Sequence, residues 1–410
     1  MSIRFEQTRL DHGLQVVTER WPSAYTSAIG FFVRAGARDE TAEQMGVSHF
    51  LEHMMFKGTA TRTAEDVNRG FDELGANYNA YTSHEQTVYY AHVLPEHLDE
   101  VTALFADMLR PALREDDFEM EKKVILEEIG MYDDRPDWRL HHALLERYYG
   151  NHPMGYRVLG TGETVSGLTA EAMRGYFETR YASDQVVVAA AGKVDHQHVV
   201  ERVAALTAHW EARGANGRVA ARPDAAVGEP ETLADEKAAR HYTAFVCPAP
   251  SLQDERRYAA KILADIVGDG EGSRLFWALV DPGLAEDADL SYDPHTDGGV
   301  FMAYASCPPG DSDRVESILL DTLRRAAEGL DEDELTRAKN KLATSATLQA
   351  ERPSGRMHAI GSRWLTMGSY SAARDELERL MAVTKADVLS LLEAFSIEPR
   401  AWVRLTPGQK

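Results

Sequence analysis

The stretch Gly46-Val-Ser-His-Phe-Leu-Glu-His-Met-Met-Phe-Lys-Gly58, GVSHFLEHMMFKG, places two histidines and a glutamate within five residues of an otherwise apolar run. Its apolar spacing is helical. A helix turns about 100° per residue, so His49, Glu52 and His53 fall within an arc of roughly 100° and point one way. Two imidazoles four residues apart on one face can grip one metal ion. A carboxylate between them lies beside the metal without having to bind it, free to take a proton from a metal-bound water. The order mirrors that of the His-Glu-x-x-His zinc helix. On these five residues alone a hydrogen-bonded core trio stays open, and a third ligand must decide. Met54 and Met55 beside them read as core filler.

The stretch DDFEMEKKVILEEIGMYDD (116–134) supplies candidates for that ligand. Ile125, Ile129 and Tyr132 fall within roughly 40° of Phe118 around the helix and with it define a buried stripe. Glu121 and Glu128 lie at its edge and face inward, whereas Glu127 lies nearly opposite and faces water. An inward carboxylate is costly unless it is paired, protonated or bound to a metal. Glu128 therefore completes a His, His, Glu set with one position open for water, the arrangement of a catalytic zinc. Glu121, two turns earlier, is placed to hydrogen-bond a ligand histidine. Pairing of Glu121 with an arginine accounts for its position equally well.

Around these segments the chain reads as α+β. It has 410 residues, 44% apolar and 27% charged, a size that suggests two domains with sizeable cores. Residues 14–34 read as two strands broken near Trp21-Pro22, residues 63–74 as a helix, and 77–94 as strand, turn and strand. Helical periodicity returns over 95–110 and 116–132, and QVVVAAAGKV (185–194) reads as a buried strand followed by a helix to about His209. The stretch 211–231 combines small residues, Gly and Pro without apolar period and is the best linker. After it the order starts again, with a strand at RHYTAFVCPAP, a helix over 254–267, a Gly-rich turn, strands to about 306, then helices. We expect two similar domains, 1–215 and 231–410, joined by a linker at 216–230.

Composition narrows the partners. The 66 acidic against 44 basic side chains give a formal charge of −22, which disfavours nucleic acid and favours cationic ligands, basic peptides among them. An acidic surface that confers solubility explains the same count. No window is long and apolar enough to span a bilayer, and no basic flank with an apolar run opens the chain, so a cytoplasmic protein without a membrane partner is expected. Cys247 and Cys307 read as buried residues rather than a disulfide. The GDGEG turn (268–272) lacks the remainder of a phosphate-binding signature, and His141 and His142 read as surface or satisfied residues.

The segments HFLEHMMFKGT (49–59), GANYNAYTSHEQTVYYAHV (75–93) and EKKVILEEIGMYDDRPD (121–137), with HPMGYRVLGT (152–161) and AAAGKV (189–194), resemble the pitrilysin (inverzincin) family of zinc metallopeptidases. The resemblance is to its short-chain branch, which contains the mitochondrial processing peptidase β subunit and bacterial relatives. It implies zinc as cofactor, His49, His53 and Glu128 as ligands, Glu52 as catalytic base and Glu121 as the family's second glutamate. It also implies two homologous α/β-sandwich domains, the second lacking the metal site, and two chains closing like a clamshell around a chamber. Asn79, Ala80, Tyr81 and Thr82 match an edge strand to which an extended peptide substrate adds. The implied function is hydrolysis of peptides or unfolded segments, and the alternative is a non-catalytic or regulatory zinc-binding subunit.

One departure bears on assembly. Family members carry an Arg and a Tyr in the second domain that bind substrate, but in GDGEGSRLFWALVDPGLAEDADLSY (268–292) Val280 stands in place of the Arg and Glu286 near that of the Tyr. Tyr292 is nearby. The expectation is a heterodimer with a second family member that supplies the pair, and otherwise a homodimer.

Overall fold

The computed structural model describes residues 3–214, 217–220 and 229–408. The first half runs β1 (Arg4–Arg9), β2 (Gln15–Arg20), β3 (Ser27–Val33), α1 (Val47–Met55), α2 (Ala64–Glu73), β4 (Asn77–Thr82), β5 (Thr87–Val93), α3 (Leu98–Met108), α4 (Glu115–Asp133), α5 (Pro136–Tyr149), α6 (Gly162–Gly167), α7 (Ala170–Arg180), β6 (Val186–Gly192) and α8 (His196–Thr207). The second runs β7 (Glu231–Asp235), β8 (His241–Ala249), α9 (Arg257–Gly268), β9 (Asp287–Pro294), β10 (Gly299–Cys307), α10 (Ser312–Arg324), α11 (Glu332–Ala350), α12 (Pro353–Met367), α13 (Ala373–Ala382), α14 (Lys385–Ala394) and β11 (Ala401–Pro407). Most of the linker expected at 216–230 lies outside the described residues.

Two mixed α/β units result, each built on one sheet. The first has strand order β1-β2-β6-β3-β5-β4 and the second β7-β11-β8-β10-β9. In each, the last strand of the half slots in parallel beside an early strand, β6 beside β2 and β11 beside β7, while the remaining pairings are antiparallel. β6 is buried along its whole length, which is why VVVAAAG is a continuous apolar run rather than an alternating one. β4 and β9 occupy matching edges.

The units are not contiguous in sequence. The first comprises residues up to 130, 156–218 and 347–371, and the second comprises 131–155, 219–346 and 372 onward. A linear division at 216–230 therefore does not describe them, because each half lends one helix to the other half's sheet. α12 covers one face of the six-stranded sheet, seating Met357, Ile360 and Leu365 against Val17, Ala28, Phe32, Val88 and Val187. Gly361 lets α12 approach closely, since a Cβ there would stand 2.3 Å from the Phe32 ring. α5 covers the five-stranded sheet in the same way, seating Leu140 and Leu144 among Ala244, Val246, Val300 and Val403. The opposite face of the six-stranded sheet forms the larger core with α1, α3, α4 and α7.

A short repeat marks the exchange. Arg135-Pro-Asp-Trp-Arg-Leu-His141 opens α5 and Arg352-Pro-Ser-Gly-Arg-Met-His358 opens α12, each with Arg as the N-terminal cap residue and Pro in the first turn. Proline fits there because its missing N–H would have no helical partner anyway.

Candidate metal centre

α1 starts at Gly46, whose φ of +95° and whose approach to the Leu159 carbonyl exclude a side chain. No side chain caps this end from the neighbouring residue. Instead the buried Glu40 carboxylate accepts N–H bonds from Gly46 and Ser48, each at 2.8 Å. Burial pushes the Glu40 carboxyl up to about 8, against the bonds from Ser48 and Gly46 that pull it down. This contact fixes the start of the helix that carries the two histidines, and hence their direction.

Within the first unit α1 and α4 bring together every residue expected at a metal. One ligand atom each from His49, His53 and Glu128 lies within 4.8 Å of the others. His49 Nε2 and His53 Nε2 stand 3.9 and 3.8 Å from Glu128 Oε2. These separations are too long for hydrogen bonds. Three donors about 2.0–2.2 Å from one ion at tetrahedral angles stand roughly 3.3–3.6 Å apart, so a small contraction closes the set. His49 Nδ1 is buried without a hydrogen-bond partner. Burial, aided by the charge of His53, pushes His49 down to about 3, so it is the neutral imidazole that metal binding requires. The residues present fit a small divalent cation.

Glu121 is buried and its Oε1 lies 2.9 Å from His53 Nδ1, which orients His53 Nε2 toward Glu128. Its other oxygen lies 2.5 Å from Lys57 Nζ. Burial favours the neutral acid, but His53 and Lys57 outweigh it and hold Glu121 below the usual carboxylate range. His53 is raised in turn, burial opposing and Glu121 prevailing. The arginine partner that the sequence left open for Glu121 is thus a histidine and a lysine. Glu127 on the same helix is exposed.

Glu52 is not among the converging atoms. Its Oε2 accepts a 2.6 Å hydrogen bond from Thr82 Oγ1 at the end of β4. Burial raises its pKa, opposed by Thr82 and by the charge of His53. Asn79, Ala80, Tyr81 and Thr82 lie on β4, the edge strand beyond β5. Sequence reasoning placed Thr82 with the substrate strand and missed its bond to Glu52. It also missed Lys57, whose spacing of four from His53 is a readable signal, and Glu40, which sits in an irregular loop and offers none.

In the second unit Val280 packs against the apolar core and Glu286 pairs with Arg240 at 2.7 Å. The Tyr292 hydroxyl donates to the Pro250 carbonyl at 2.8 Å, so it is committed to the backbone. Cys247 and Cys307 are buried free thiols. Among the described residues no helix is long and apolar enough to cross a membrane.

Comparison with known proteins agrees with this geometry. Residues 15–162 match the family model described as insulinase (peptidase family M16), and residues 167–342 match the M16 inactive domain. A Mycobacterium leprae protein named an uncharacterized zinc protease is 36% identical over 393 residues, 94% of this chain and 88% of that protein. A Bacillus subtilis protein so named is 31% identical over 406 residues, 97% of each chain. The crystal structure of a protease from Helicobacter pylori superposes with a TM-score of 0.92 at 20% identity, covering 99% of this chain and 100% of that one. An M16-like peptidase structure from Alicyclobacillus acidocaldarius gives 0.84 at 22% identity, covering 100% and 99%. With both family models matched in order along one chain, the protein belongs to peptidase family M16, the pitrilysin family that its motifs resemble.

Proposed function

We propose that this chain is a zinc metalloendopeptidase that hydrolyses peptides or unfolded polypeptide segments within a closed chamber in the cytoplasm. The observation that carries the reading is the convergence of His49, His53 and Glu128 with the unliganded carboxylate of Glu52 beside them. His49, His53 and Glu128 hold the ion. When bound there, zinc supplies Lewis acidity toward the scissile carbonyl and makes water nucleophilic near neutral pH. Glu52 accepts the proton of the attacking water and returns it to the leaving amine. Thr82 fixes one Glu52 oxygen, leaving the other for that transfer. Glu121, braced by Lys57, keeps His53 turned so that Nε2 faces the ion. The unpaired edge of β4 receives an extended peptide by main-chain hydrogen bonds, with Asn79 to Thr82 alongside it.

Metal analysis tests this directly. About one zinc per chain is expected, lost in His49→Ala and His53→Ala because two of three ligands make a poor site. Full zinc retention by His53→Ala overturns the ligand set. Digestion of a mixed peptide library with identified products then reads the cleavage rule. Metal without cleavage would identify a regulatory zinc-binding subunit instead.

Assembly follows from the second unit. Val280 is apolar, Glu286 is held by Arg240 and Tyr292 by Pro250, so none offers a cationic fork or a free phenol to substrate. The reading is a heterodimer with a similar family member that supplies those groups. Activity of the purified chain alone, against a mixture with the candidate partner, decides. Full activity alone with no gain on mixing identifies a homodimer that holds substrate chiefly through β4.

A further inference from the structure

The five-stranded sheet carries a cavity of about 370 Å³ on the face that α5 covers. The first turns of α5 supply Asp137, Trp138 and His141, while β9 supplies Asp287 and Asp289 and β10 supplies Tyr304. Register explains the grouping. Asp289, Tyr304 and Ala244 are direct cross-strand partners, so they form one row across β9, β10 and β8, and Asp287 stands two residues along β9 on the same face. All these residues lie in the second unit.

The charge in this cavity is unbalanced. Among the described residues, none of its lining side chains is a lysine or arginine. Asp137 is paired with Arg135 at 2.6 Å. Among the described residues, the side chains of Asp287 and Asp289 have neither a hydrogen bond nor an ion pair, and burial together with Asp287 pushes Asp289 up to about 7. His141 does not compensate, because burial pushes its pKa down and leaves it neutral. Leu140, Ala244 and Met302 line the rest together with the rings of Trp138 and Tyr304, whose faces attract cations; the Arg135 guanidinium that pairs with Asp137 stands 5.9 Å from the Trp138 ring.

The six-stranded sheet shows what the same place looks like without this charge. Its matching row is Gly30, Tyr90 and Asn79, and His358 of α12 packs edge-on against Tyr90 with ring centroids 4.4 Å apart. That row carries no carboxylate. Where Asn79 stands in one sheet the other has Asp289, and beside that substitution the cavity lies open.

We infer that this cavity binds an organic cation of guanidinium or alkylammonium type, held by the carboxylates of Asp287 and Asp289 against the rings of Trp138 and Tyr304. A cation there relieves the repulsion between two carboxylates and gives the half-buried Asp289 the partner it lacks. The guanidinium is the better match, since its planar fork meets carboxylates while its face stacks on an aromatic ring. The inference does not depend on the metal centre or on turnover.

Calorimetric titration of the full chain tests it with N-acetyl-arginine amide and N-acetyl-citrulline amide, which have the same shape and differ in charge. The arginine derivative is expected to bind at least about tenfold tighter, as for a desolvated charge pair with cation–π support. Asp287→Asn with Asp289→Asn should bring that ratio to within about twofold of one, and Trp138→Leu, which keeps both carboxylates, should lower it severalfold. Because both probes are measured on one protein, partial loss of folding cancels from the ratio. Equal affinities in the native chain, or a ratio that survives the double Asn variant, overturn the site. Agmatine binding as tightly as the arginine derivative identifies a free small cation as the ligand, and a further gain with an arginyl octapeptide over its citrulline form identifies a peptide side chain. Both outcomes support the cation site.

Discussion

Counted from its first residue, α1 places His49, Glu52 and His53 at its third, sixth and seventh positions, where α9 of the second unit places Ala259, Ile262 and Leu263. The 19-residue helices α4 and α11 differ in the same way, with Glu121 and Glu128 in one and Ala338 and Ser345 at the same count in the other. Ala259, Ile262, Leu263 and Ala338 are all buried, so the second unit fills with methyl and methylene groups what the first fills with imidazoles and carboxylates. The shared strand order therefore does not need these charges. Burying them costs stability that apolar side chains would supply, and residues that break the local rule without a structural return mark a functional site.

The largest expected effect tests that division of labour. Glu52→Gln keeps its size and the Thr82 contact but cannot accept a proton, so peptide turnover should fall by about 10²- to 10⁴-fold with zinc content unchanged. Normal turnover in this variant would place the base elsewhere and erase the chemical contrast between the units.

The exchanged helices give the second test, because here the units should behave alike. Met357 and Leu140 are buried at matching positions of α12 and α5. Truncation of either to Ala should destabilise the chain by about 2–5 kcal/mol in urea unfolding, the range for large-to-small core substitutions. A large loss for one and none for the other would show that the two helices do not play equivalent parts.

The smallest effect sharpens the account of the metal-bearing unit. Lys57→Met removes the cation that braces Glu121, while Lys57→Arg keeps one. Zinc affinity measured by chelator competition should fall by about tenfold in Lys57→Met, the lower end for losing an outer partner of a ligand histidine, and largely recover in Lys57→Arg. Unchanged affinity in Lys57→Met would leave Glu121 sufficient by itself.

Much of the metal-bearing unit could be read from the chain because its residues obey a helical period. A repeat of 3.6 residues fixes which way His49, His53, Glu121 and Glu128 point before any fold is known, and it sends Glu127 to water. Contacts between distant elements were not readable in this way. β1, β7 and β11 escaped sequence reasoning, and β11 lies inside its sheet with partners far back in the chain at β7 and β8. The exchange of α5 and α12 was hidden for a related reason. An apolar stripe shows that a helix must be covered, but not by which sheet. The Arg-Pro-x-x-Arg-x-His repeat was visible in the sequence, and only the structure gives it meaning. Tyr292 likewise could not be judged until its hydroxyl was found on the Pro250 carbonyl.

The exchange also orders events during synthesis. The strands of the six-stranded sheet are complete once β6 has been made, yet the face bearing Val17, Ala28, Phe32, Val88 and Val187 has no cover until α12 emerges. From the end of β6 to the end of α12 is about 175 residues, which at roughly 5–20 residues per second is a delay of about 9–35 s. Throughout that interval the ribosome carries a sheet with one apolar face open to water, the kind of surface that chaperones bind and that aggregates in their absence. α5 meets the opposite situation, since it is made well before the strands it will cover and must wait for them. The N-terminal unit is completed only after four of the five strands of the other sheet have been made.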